Sequence, residues 1–287
     1  MAYVKHESIV KQAADRLRGM AAWGQSKHAD KSINGGKPII DKIYSYSTMD
    51  NYKNAAVHFA KWARENHGCR DIDQARQYTG EYLKSRIESG KSAWTVRLNA
   101  AALGKLYQCQ TTELGAELPG RHRANVKQHR TGASKGHFSE AKNQDLVDLC
   151  RSTGLRRHEV AQLRPEDIKQ FPDGRTLIHV RQGKGGKERT VLALDATAAR
   201  LSKQATLAGR STVIDHIPKY APIHEYRAQF AQAMYFNLAR DTDTIPFSEK
   251  YFCRKDRAGI CYDKKAMAAV SAALGHNRLD VMTSYLK

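Results

Sequence analysis

Between Thr48 and Tyr107, apolar side chains recur at helical spacing in three runs set off by glycine or serine, and this periodicity constrains the fold more than any other feature. In the first run Tyr52, Ala56, Phe59 and Ala63 stand four, three and four residues apart, and Gly68 follows as a stop. Steps of three and four place side chains on one face of an α-helix. A second run, from Asp73 to about Ser89, carries Tyr78, Tyr82 and Leu83 on one face before Gly90. The third starts at Ser92, whose hydroxyl suits an N-cap, and repeats apolar residues at Val96, Ala100, Leu103 and Tyr107. Three amphipathic helices predict a compact all-α domain over residues 47–114.

The flanks read differently. Residues 1–46 hold one plausible helix, in HESIVKQAADRLRGMAAW, and then a polar stretch, GQSKHADKSINGGKP, whose glycines and proline read as loop. They predict an N-terminal arm that is mobile or ordered by a partner. Residues 115–136, including GRHRANVKQHRTGASKG, are polar and basic with little to fill a core, and predict an interdomain linker.

From residue 137 to 287 the pattern is mixed. Ser139 can cap a helix ending near Ser152, and a second, from Arg157, stops ahead of Pro165. TLIHVR and ERTVLAL are β-branched runs on either side of a glycine-rich turn and predict a hairpin. Further helices are expected from Asp195 to about Leu207, from Ile223 to Ala239, from Asp263 to Leu274 with Gly275 as the stop, and from Leu279 to the end. The fold class is therefore mainly α, with a small antiparallel sheet in an α+β second domain.

Charge narrows the partners. The 287 residues carry 48 Lys and Arg against 29 Asp and Glu, a net +19 at pH 7, which favours a polyanion. Neither an 18-residue apolar run nor a signal-peptide pattern is present, so the chain is expected to be soluble and cytoplasmic, nucleoid-associated rather than membrane-bound. Its five cysteines are odd in number and scattered, and lack a CxxC pair. They fit reduced thiols, and no metal or other cofactor is expected.

Four segments bear chemistry. TGLRRHEV places Arg156 or Arg157 at a helix start, where a guanidinium fork can take two phosphate oxygens, with Glu159 on the same face to orient it. QGKGGKER lacks the GxxxxGK[ST] pattern and joins two strands, so it is not a nucleotide loop; its glycines let Lys184 project from a hairpin tip. HEYR sets His224 and Arg227 three apart near a helix start. In LGHNRLDVMTSYLK, His276 follows a helix stop and Tyr285 comes nine residues later. A phenol is a poor nucleophile at neutral pH and needs surrounding cations and a base. Each element alone is ordinary in a basic protein, but their conjunction around one phosphate is not.

In this order and context the segments resemble the catalytic domain of the tyrosine recombinases, the phage-integrase-like strand-exchange enzymes, over roughly residues 137–287. The resemblance implies that Arg156 and Arg227 are the catalytic arginines, Lys184 the general acid, His224 and His276 the assisting histidines, and Tyr285 the nucleophile, with Glu159 in support. It also implies that the N-terminal helices are a core-binding domain forming a C-shaped clamp on DNA with the catalytic domain. The expected activity is site-specific recombination through a 3′-phosphotyrosyl intermediate, without metal or ATP. The expected partners are double-stranded recombination sites held by a tetramer on two duplexes, and accessory DNA-bending proteins are compatible with it. Relaxation of supercoils, as by a type IB topoisomerase, and silent DNA binding are the alternatives. One departure from the family pattern is extra length between Arg227 and His276, which suggests an insertion over 241–262 in which KYFC pairs with ICYD across DRAG.

Overall fold

The computed structural model describes residues 7–122, 138–184 and 186–286, and for Lys255 the backbone alone. The chain divides into two compact units, Met1–Asn125 and Val126–Lys287.

The first unit is helical: α1 (Ile9–Arg18), α2 (Lys27–Ile33), α3 (Tyr46–His67), α4 (Thr79–Glu88) and α5 (Ala93–Leu106). Serines at the starts set the boundaries. Ser45 caps α3 by accepting from Thr48 N, and Ser92 caps α5 by accepting from Thr95 N. Gly68 closes α3 in the left-handed region, at φ 63°. Phe59, Tyr82, Leu83, Val96, Ala100 and Leu103 meet in one core, the faces expected from their spacing. Of the expected arm, residues 7–46 are not separate: Ile9, Ala13 and Leu17 form a stripe buried in that same core, so α1 packs on α3. Burying three apolar side chains outweighs the entropy of leaving this segment loose. The stretch read as loop contains α2, which buries no residue and is fixed by Ser26, capping Ala29 N, and by Asp30, which accepts from Lys42 and Tyr44. At the other end, Arg97 donates to Pro119 O at 2.8 Å and Leu118 O at 3.2 Å, so the segment expected as linker begins as part of this unit. From residue 123 to 136 the expected linker lies outside the described residues.

The second unit contains α6 (Gln144–Thr153), α7 (Arg157–Ala161), β1 (Ile168–Gln170), β2 (Thr176–Val180), β3 (Arg189–Leu192), α8 (Thr197–Leu207), α9 (Ile223–Leu238), β4 (Lys250–Phe252), β5 (Cys261–Asp263) and α10 (Lys264–Ala273). The hairpin of β2 and β3 gains β1 as a third antiparallel strand, with Ile178 opposite both Ile168 and Val191. A second, two-stranded sheet pairs Phe252 with Cys261 and Lys250 with Asp263, within the two runs expected to pair. The helices α6 and α9 pack together, and α10 lies against α9, β3 and the 3-10 turn Leu279–Ser284 that follows it. The fold is thus mainly helical with small antiparallel sheets. Among the described residues no helix is long and apolar enough to cross a membrane.

Candidate active site

The C-terminal end of α10 organises the site. Helix ends leave carbonyls without internal partners and carry partial negative charge, so they attract cations. Here three arginines take that end. Arg189 Nε donates to Ala273 O at 2.9 Å, Arg156 Nη2 donates to Leu274 O at 3.0 Å, and Arg227 Nη2 donates to the same Leu274 O. Gly275 turns the chain away at φ 65°, and a Cβ there would lie 3.1 Å from the Arg189 Cδ. A second glycine serves from the opposite side. Gly154 closes α6 at φ 61° and its carbonyl accepts from Arg227 Nη1, while a Cβ on it would sit 2.3 Å from the Phe230 ring.

Glu159 is the counter-charge, 4% exposed. Its Oε1 accepts from Arg156 Nη1 and Arg189 Nη1, and its Oε2 from Arg156 N and Arg189 Nη2, all four at 2.8 Å. Burial raises its pKa, and the hydrogen bonds from Arg189 and Arg156 more than reverse this, leaving it at about 2. It is therefore an anion throughout the physiological range. Arg227 is 1% exposed, and burial, with the charge of Arg156 nearby, lowers its pKa to about 10, against which contact with the Tyr285 phenol works. It stays protonated at neutral pH.

His276 lies 3.5 Å from Arg227 Nη2 through Nε2, and its ring centroid is 5.7 Å from that of Tyr285. Burial first, then the charges of Arg227, Arg156, Lys184 and Arg189, push its pKa down to about 4, so the imidazole is neutral at pH 7 and can accept a proton. Tyr285 is 6% exposed and directly follows the 3-10 turn, with its carbonyl accepting from Gln232 Nε2 at 3.0 Å.

The structure thus brings Arg156, Glu159, Arg227, His276 and Tyr285 together. Lys184 is exposed between β2 and β3, near enough for its charge to act on His276. His224 is exposed on the first turn of α9, one turn before the buried Arg227. Arg156 faces the site, and Arg157 turns away to donate to the carbonyls of Ile217, Pro218, Lys219 and Ala221, pinning the loop ahead of α9. Sequence reasoning missed Arg189, hidden among the charges of QGKGGKER. A signal was present: Arg189 stands two residues before the buried Val191, on the same face of a strand. Among the described residues no three His, Cys, Asp or Glu side chains are gathered as metal ligands.

No protein-family model and no curated protein matches the chain. Two solved structures share its fold across nearly the whole length. One is XerH site-specific recombinase bound to palindromic difH substrate in a post-cleavage complex, at 14% identity and TM-score 0.55, covering 97% of this chain and 90% of that one. The other is XerH bound to difH substrate in a pre-cleavage complex, at 16% identity and TM-score 0.50, covering 96% and 91%. At such identity the likeness is one of fold.

Proposed function

We propose that this protein is a site-specific DNA recombinase of the tyrosine class, cutting and rejoining DNA through a 3′-phosphotyrosyl bond to Tyr285. One observation carries the reading: Arg156 and Arg189 share a single buried carboxylate, and a third guanidinium, that of Arg227, meets Arg156 at Leu274 O, with a phenol and a neutral imidazole beside them. Uncompensated buried charge is costly, and an incoming anion relieves it. A phosphodiester has the charge and the two non-bridging oxygens that a guanidinium fork matches.

In this reading Arg156 and Arg227 hold the non-bridging oxygens, each well-placed donor contributing about 3 to 4 kcal/mol as charge grows in the transition state. Glu159 and Arg189 fix Arg156 in place, and His224 donates a further hydrogen bond to the phosphate. The Tyr285 Oη forms a bond to phosphorus, the bond from phosphorus to the 5′ oxygen breaks, and the phenol proton passes to the neutral His276. Lys184 gives a proton to the departing 5′ oxygen. The phosphodiester energy is kept in the protein–DNA bond, so a 5′-hydroxyl from a partner duplex reverses the step without ATP. Four copies on two duplexes would complete an exchange, in a DNA-associated protein of the cytoplasm.

The test is a duplex selected for binding from a random pool, synthesised with a nick beside the candidate cleavage position so that the intermediate is trapped. The wild type is expected to give a covalent adduct on denaturing gels and Tyr285→Phe none. An adduct that persists in Tyr285→Phe removes the nucleophile. Tight binding with no wild-type adduct indicates a silent DNA-binding protein, and supercoil relaxation without recombinant products indicates a topoisomerase.

A further inference from the structure

The β4–β5 hairpin has no part in the chemistry above, yet its side chains hold the backbone that carries Tyr285. Arg257 Nη1 donates to Thr283 O, and its Nη2 donates to Tyr262 Oη at 2.7 Å. Tyr262 Oη in turn donates to Leu286 O at 2.8 Å. With Gln232 on Tyr285 O, three carbonyls at and around the phenol-bearing residue are occupied by side chains from outside their own turn. The Arg257 guanidinium also lies 5.7 Å from the centre of the Tyr262 ring, a favourable cation–π distance.

The frame behind these donors is stiff. Tyr262 packs edge-on to Tyr235 of α9, with ring centroids 5.5 Å apart, and Tyr235 Oη accepts from Asp263 N at 2.9 Å. Asp263, fully buried, takes Arg240 through Nε at 2.8 Å and Nη2 at 2.9 Å while capping α10 through Lys265 N. Glu249, at the foot of β4, joins Arg240 at 2.6 Å and Lys265 at 2.7 Å. By contrast the segment being held, Leu279–Ser284, is a six-residue 3-10 turn with poor intrinsic hydrogen-bond geometry. Its order has to come from outside.

We propose that the β4–β5 hairpin is a latch that sets Tyr285 in register with Arg227 and His276 of the same chain, with Arg257 and Tyr262 as positioning residues. The proposal rests on the recombinase reading for its consequence, faster attack by the phenol, but the latch itself can be read without it. Placement matters because a misalignment of about 1 Å at a reacting atom can cost about a hundredfold in rate. Neither residue touches the phosphate.

The experiment uses the full chain, wild type, Arg257→Ala, Arg257→Lys and Tyr262→Phe, with the nicked selected duplex as probe. Single-turnover adduct formation is expected to slow by about tenfold to a hundredfold in Arg257→Ala and less in Tyr262→Phe. The dissociation constant for the same duplex should be unchanged, and Arg257→Lys, which keeps one donor, should recover part of the rate. Amide exchange at Tyr285 and Leu286 should speed up by about tenfold in Arg257→Ala while the α6 and α9 amides keep their protection. Unchanged rates in both variants overturn the latch, as does a rate loss matched by an equal loss of DNA affinity, which would make the hairpin a DNA contact. If the wild type forms no adduct, the recombinase reading fails and the exchange measurement decides alone: unaltered exchange at Tyr285 and Leu286 overturns the latch.

Discussion

The two units solve the problem of burial in opposite ways. In the first, the buried polar residues among those described are Thr79 and Asn99, and the core is aliphatic and aromatic, with Phe59 edge-on to Tyr82 at 5.2 Å and to Tyr107 at 6.2 Å. The second buries Glu159, Asp167, Arg227 and Asp263. An apolar core is complete in itself, because its stability comes from area removed from water. A core containing arginines depends on each partner being present, and around α10 the partners in hand leave an excess of positive charge. The first unit is built to be stable, and the second gives up that security to hold a charged site ready.

That contrast can be broken at several points. The largest expected effect is on chemistry: Arg227→Ala should lower single-turnover cleavage by about a hundredfold to a thousandfold while leaving the melting of the first unit unchanged. An unaltered rate would remove Arg227 from the site. Next come two core substitutions of similar expected cost and different consequence. Phe59→Ala should destabilise the first unit by about 3 to 5 kcal/mol in denaturant titration, yet leave cleavage at saturating DNA intact. Glu159→Gln should cost the second unit about 3 to 5 kcal/mol, because it leaves Arg156 and Arg189 short of their anion, and should slow cleavage as well. Equal effects of the two on cleavage would erase the distinction.

Acid should separate the units further. A carboxyl held below its ordinary pKa contributes stability that is present above about pH 4.5 and is lost as pH falls toward its folded value, here about 2 for Glu159, with Asp263 shifted the same way. His276 adds to this. Its folded pKa of about 4 lies below the ordinary 6.5, so the unfolded chain takes up the proton first and stability falls as pH drops from 6.5 to 4. Trp23, Trp62 and Trp94, all the tryptophans of the chain, lie in the first unit and report on it alone. Far-ultraviolet ellipticity should therefore begin to fall at a higher pH than tryptophan fluorescence changes, and coincident transitions would count against the comparison. The smallest effect is Ser92→Ala, which removes the α5 cap and should cost about 1 kcal/mol by denaturant titration without any dependence on pH above 5.

The same contrast governs what the sequence made legible. Periodicity and punctuation are local, so α3 could be read from its apolar spacing and Gly68, α5 from Ser92, and α10 from Asp263 and Gly275. The short strand Ile168–Gln170 carries no such signal, since three residues, two of them exposed, become a strand only by pairing with β2. The helix α2 has no apolar face to announce it. At the site, Arg156, Arg227, His276 and Tyr285 stood out because each lies in a distinctive segment. What could not be read was the dependence of the arginines on the carbonyls at the end of α10, because a backbone oxygen leaves no mark in a sequence. Arg189 was obscured by the same basic composition that pointed to a polyanion.

One further consequence follows from the junction at Asp263 and Lys264. Strand β5 runs into α10 with no residue between them, Asp263 both ending the strand and capping the helix. Ten helical residues make an arm of about 15 Å, and a tilt of roughly ten degrees at the hairpin would swing the far end by roughly 2.5 Å. That far end carries Ala273 O and Leu274 O, the carbonyls on which all three arginines rest. A displacement of the hairpin would thereby reach these carbonyls from outside the cluster of arginines that they hold.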